Sequence, residues 1–106
     1  MPKYLFAVKY TSDGMKGVMR EGGSKRRDAA DQAIKSAGGK LEAMYYAFGE
    51  YDVYGIADFP DQSRAVALSG TINSSGTTTV HLTPLVTIEE VDQASKKMTQ
   101  YRAPGK

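Results

Sequence analysis

Two alternating, aromatic-rich runs meet at one short turn near the middle of this chain. Lys40 to Phe48 and Tyr51 to Phe59 read as strands, and only Gly49-Glu50 separates them. A connection that short admits an antiparallel hairpin and excludes a parallel crossover. One residue stands out within it. Asp52 falls just inside the second run, and strand interiors disfavour Asp, so its place there calls for a structural, ligand-binding or catalytic reason.

The sequence period changes on either side of the hairpin. Lys3 to Tyr10 alternates, with Tyr4, Phe6, Val8 and Tyr10 on one side and Leu5 and Ala7 on the other, which predicts a strand. Thr11-Ser12-Asp13-Gly14 is turn chemistry and a helix start. Met15, Val18 and Met19, then Ala29, Ala30, Ala33, Ile34 and Ala37, recur at helical spacing. Gly22-Gly23 interrupts them. Each mid-helix glycine costs about 1 kcal/mol against alanine, so the pair predicts a break, with Ser24 as N-cap of the second segment. Gly38 suits the left-handed residue that ends a helix.

After the hairpin, Pro60-Asp61 opens a helix with Ala65, Val66, Leu68 and Ile72 as its buried face, and Asn73-Ser74-Ser75-Gly76 closes it. Thr77 to Thr87 is a fourth strand, in which Pro84 predicts an edge position or a bend. Thr87-Ile88-Glu89-Glu90 is a Thr-x-x-Glu capping box for a last helix. Its expected face is Val91, Ala94 and Met98, reaching to Tyr101. The polar tail Arg102 to Lys106 is expected to fray or to reach a neighbour.

The order is β-α-β-β-α-β plus a C-terminal helix. Strands joined through helices around one central hairpin predict an α+β, ferredoxin-like fold, a four-stranded antiparallel sheet with helices on one face. A length of 106 residues predicts a single domain over 1–106, with an ordered core over 3–101. The net charge of +2 gives no concentrated basic face, so no nucleic-acid partner is expected. The absence of cysteine excludes disulfides and thiolate metal sites. The single histidine, His81, excludes a multi-histidine metal site within one chain. No metal and no cofactor are expected. No apolar run approaches the roughly 18 residues of a membrane span, and no signal-peptide layout follows Met1-Pro2-Lys3. A soluble cytoplasmic protein without a membrane partner is the expectation.

A sheet with one solvated face alternates apolar with polar residues. These strands are apolar on both sides. The second places Met44, Tyr46 and Phe48 on one side and Leu41, Ala43, Tyr45 and Ala47 on the other. Two helices cover only one face. The other is expected to pack against a second copy, giving a dimeric α+β barrel, because large apolar patches mark interfaces. The alternative is a tyrosine-rich face that simply tolerates solvent.

Gly49-Glu50-Tyr51-Asp52-Val53, followed by Ala57-Asp58-Phe59-Pro60-Asp61, resembles the GYD-domain family. So do Glu21-Gly22-Gly23-Ser24-Lys25-Arg26-Arg27, Gly38-Gly39-Lys40-Leu41-Glu42-Ala43, and Thr83-Pro84-Leu85 with Thr87 and Glu89-Glu90-Val91 after it. The resemblance covers Lys3 to about Arg102. It implies a small bacterial or archaeal protein with a ferredoxin-like, dimeric α+β barrel fold. It implies no activity, since the family is described as of unknown function, and it carries over no catalytic residue.

Asp52 leads the candidate site residues. An even-length hairpin loop puts it on one face with Tyr45, Ala47, Tyr54 and Ile56, where a desolvated acid among tyrosines has the raised pKa of a general acid or base. The competing reading is an Asp that accepts hydrogen bonds from nearby amides or a tyrosine hydroxyl and pins the turn. Gly23, Ser24, Lys25, Arg26 and Arg27 form a second set. A glycine-rich approach to a helix start, with basic side chains around it, suits an anion, although no P-loop or dinucleotide fingerprint is present. The competing reading is a kinked helix with a solvated basic edge. His81 is a candidate proton shuttle or an ordinary surface histidine. The tyrosines line a pocket or fill core and interface. Three functions fit these residues. One is an oligomeric small-molecule-binding protein, with its ligand between sheet and helices or inside the barrel. Another is a cofactor-independent isomerase or monooxygenase using Asp52, Tyr45, Tyr54 and His81. The third is a structural assembly protein acting through the basic helix edge and the C-terminal tail.

Overall fold

The computed structural model describes residues 1–106. Strand β1 (Lys3–Tyr10) leads into helices α1 (Ser12–Glu21) and α2 (Gly23–Ser36). The hairpin strands β2 (Lys40–Tyr46) and β3 (Val53–Asp58) follow, then α3 (Gln62–Asn73), β4 (Thr78–Leu85) and α4 (Ile88–Ala94). All pairings are antiparallel, in the order β2-β3-β1-β4. This is the ferredoxin-like α+β sheet that the element order predicts.

The helix starts follow from their caps. The Thr11 hydroxyl accepts from the Gly14 amide for α1, and the Asp61 carboxylate from the Arg64 amide for α3. The full capping box of Thr87 and Glu90 opens α4. Gly22, not Ser24, caps α2. Its φ of +88° with ψ of 163°, a region essentially reserved for glycine and costing other residues about 1–3 kcal/mol, turns the chain so sharply that one residue ends α1 and starts α2. Ser24 therefore lies inside α2.

Tyr4, Phe6 and Val8 of β1, Val53 and Ala57 of β3, and Val80 of β4 form the core face with Ile34, Phe59 and Ala65. The core depends on one close approach. A Cβ on Gly55 would lie 2.1 Å from Phe6 Cζ and 2.6 Å from the Ala43 carbonyl oxygen, so only glycine leaves room for the Phe6 ring against β3.

Four sequence expectations are corrected by the packing. A bulge between Leu41 and Ala43 turns Leu41 onto the core side with Met44, away from Ala43 and Tyr45. The strands stop short of the turn, and the loop leaves Phe48 fully exposed instead of in β2. Val66 points to solvent, and Leu68 and Ile72 carry the buried face of α3 with Ala65. Helix α4 ends at Ala94, which leaves Met98 and Tyr101 beyond it. It also stands away from the sheet, with Ile88, Val91, Met98 and Tyr101 all exposed.

Candidate functional site

The face of the sheet opposite the helices carries an aromatic row. Pairing aligns Tyr45 with Tyr54, Tyr54 with Ala7, and Ala7 with His81, one residue from each strand. The next row is Ala43, Ile56, Leu5 and Thr83. Tyr51 folds back from the hairpin loop onto the first row. Its ring meets Tyr54 edge-on at 5.8 Å and His81 edge-on at 5.7 Å. The gap it bridges belongs to Ala7, whose methyl leaves room for a ring and which is buried despite lying on the open face. Tyr45 is 73% exposed and Tyr54 40%. Tyr51, one of the tyrosines that could line a pocket, thus joins Tyr45, Tyr54 and His81 at this row. Ala7, a small residue among aromatics, leaves space for it.

Asp52 follows this row on the same face, beside Lys9. Strand β1 runs to Tyr10, two residues past Val8, which pairs with Val53, the first residue of β3. On that side the Tyr10 amide has no strand to donate to, and a backbone donor left unpaired is costly. It donates to Asp52 Oδ2 at 2.9 Å. Lys9 Nζ lies 3.6 Å from Oδ1, and the side chain is 13% exposed. The Asp52 backbone closes the hairpin as well, its amide donating to the Val8 carbonyl and its carbonyl accepting from the Ala47 amide, both at 2.8 Å.

The basic segment does not converge as a unit. Arg27 faces Asp28 at 3.5 Å, and Arg26 lies 3.8 Å from Glu21. The Gly23 carbonyl accepts from the Tyr46 hydroxyl at 2.9 Å, which holds the start of α2 over the sheet. Of the five candidates, Arg26 is the one that lines an enclosed space.

That space is a cleft of about 330 Å³ between the core face of the sheet and helices α2 and α3. Helix α2 packs over β2 and α3 over β4, so a gap opens between them above the central strands. Its walls include Phe6, Val8, Ala33, Leu68, Ile72 and Val80. Tyr10 and Arg26 stand together at one end of it. Burial pushes the Tyr10 phenol above its ordinary pKa, while the nearby Arg26 guanidinium pulls the other way. Tyr46 is raised by burial and by Tyr10, against Arg26 and Arg27. No three His, Asp or Glu side chains gather as a metal site, and no helix is long and apolar enough to cross a membrane.

Comparison with known families matches the GYD domain over residues 4–95. No curated protein and no solved structure matches the chain.

Proposed function

The chain belongs to the GYD domain family, and on that footing we propose that it is an oligomeric small-molecule-binding protein whose ligand occupies the cleft between the sheet and helices α2 and α3. The cleft itself carries this reading. Protein interiors pack to crystal density, so a gap of about 330 Å³ at the centre of a small domain is unusual. Its volume is at the lower end of the range for ligand pockets, and its walls are apolar with a few polar groups, as such pockets are. Its partner is a second copy, joined through the open face where Tyr45, Tyr54, Ile56 and Leu5 lie uncovered by any helix.

The test is a titration with N-phenyl-1-naphthylamine, an uncharged probe that fluoresces in apolar surroundings. Wild type is expected to bind it saturably. Ala30→Trp, which fills the cleft from α2, should abolish that signal, while Tyr45→Glu on the opposite face should leave it. Equal fluorescence in Ala30→Trp and wild type would overturn the cleft as the site.

A second reading, assembly, has its own support. The seven residues of α4 form a helix too short to be stable without packing, yet its apolar residues Ile88 and Val91 lie exposed. A neighbouring subunit would supply the missing surface. The enzymatic alternative has the Tyr45-Tyr54-His81 row in its favour but lacks an available carboxylate, because Asp52 is engaged by the Tyr10 amide and Lys9.

A further inference from the structure

The cleft is not uniform along its length. At one end it is closed by Phe59, Ala65 and Ile34, where β3 stops, α3 begins and α2 ends. At the other end β1 finishes at Tyr10, β4 begins at Thr78, and α2 starts with Arg26 in its first turn. Tyr10, Ser75, Thr77 and Thr78 all lie at this second end, the last three with their hydroxyls linked in a chain of hydrogen bonds. Arg26 is the one charged residue of the whole lining, and no Asp or Glu is among it. Its nearest acid, Glu21, is 3.8 Å away, too far for the short forked contact that satisfies a guanidinium. A cation with only a long contact to an acid, and several hydroxyl-bearing residues, therefore line one end of a largely apolar space.

We infer that the cleft selects a small amphipathic anion, with an apolar body along Phe59 and Ile34 and a single carboxylate-like head held by Arg26 and the Tyr10 hydroxyl. This rests on the cleft reading above and adds the chemical class of the ligand. The planar fork of arginine matches a carboxylate with two parallel hydrogen bonds. The hydroxyls complete the shell of the head group, and the apolar end accepts a chain or ring that carries no second charge. A dianion or a polar sugar finds no partners at the Phe59 end. A cation meets Arg26 with no acid to offset it.

The experiment competes decanoate and decan-1-ol, matched in chain and differing in head, against bound N-phenyl-1-naphthylamine. Decanoate is expected to displace the probe at roughly 10–100-fold lower concentration than decan-1-ol, the range for hydrogen bonds to a charged group. Arg26→Met, which keeps the aliphatic stem, should collapse that ratio toward one. Lys97→Met, which removes a positive charge from the C-terminal segment instead, should leave the ratio as in wild type. Equal potency of the two competitors, or a ratio unchanged in Arg26→Met, overturns the anionic class while leaving the cleft as a site. A probe that never binds overturns the cleft reading itself, and this inference with it.

Discussion

At the scale of single residues, Asp52 is the clearest case of a functional-looking side chain with an architectural task. Its carboxylate takes the place of the strand that β1 lacks at Tyr10. Asp52→Ala removes that acceptor and leaves the Tyr10 amide without a partner, which should cost about 1–3 kcal/mol. Asp52→Asn keeps a carbonyl oxygen there and loses only the attraction to Lys9, so it should cost much less. Urea unfolding midpoints of the two variants check this ordering, and equal midpoints would remove the hydrogen bond as the reason for the residue. The sequence marked Asp52 as anomalous but not its partner. The Tyr10 amide belongs to a strand 42 residues earlier, and periodicity says nothing about which strand outruns its neighbour. The contacts of Tyr51 with Tyr54 and His81 are hidden from periodicity for the same reason, since they are set by a loop that folds back onto the sheet.

At the scale of elements, local chemistry was legible where it acts within one turn. The helix starts at Thr11 and Asp61, the capping box at Thr87 and the positive φ of Gly38 all stand where the sequence puts them. Misreadings arose where tertiary contact decides. The bulge at Leu41 answers to core packing. Ser24 loses the capping position because the reversal at Gly22 leaves no linker for it to occupy. Helix α4 stops early with its apolar side chains exposed, and Ser95 Oγ donates to the Asp92 carbonyl at 2.7 Å, an alternative that competes with helix propagation. One long-range device was not anticipated. Asn73, the last residue of α3, accepts from the Val80 amide at 2.7 Å and donates to the Val80 carbonyl at 3.3 Å. It ties α3 to the edge of β4 over a buried residue. Asn73→Ala should lower stability by about 1–3 kcal/mol and speed hydrogen exchange at Val80. Asn73→Asp, which keeps the acceptor and loses the donor, should fall between Ala and wild type.

At the scale of the whole molecule, the chain exposes more than a lone domain of its size should. Its accessible surface is 7734 Å², against about 5,800 Å² for a folded monomer of this mass. Its radius of gyration is 16.9 Å, against roughly 13 Å for a compact domain of this length. Only 11 of 106 residues are buried, a core too small to leave a tyrosine-rich face and an apolar arm both unused. The excess resembles the area that a stable interface removes. Sedimentation velocity at micromolar concentration should therefore give a multiple of the chain mass. The double variant Tyr45→Glu with Tyr54→Glu should shift it to the monomer with unchanged far-UV circular dichroism. A wild-type monomer under those conditions would refute association through the sheet face.

The pairing of Asn73 with Val80 also bears on what kind of assembly the chain can enter. Strands β2 and β4 are the two outer strands, and an outer strand with free amides is a template on which further strands add without limit. Here one is broken by a bulge and the other is sealed by an asparagine and carries Pro84. These features hinder growth strand by strand into a fibre, whereas the proposed association through the flat of the sheet would be finite, because each copy has one such surface to give. Loss of Asn73 should therefore raise thioflavin T fluorescence, the sign of fibrils, under conditions where the domain is still folded.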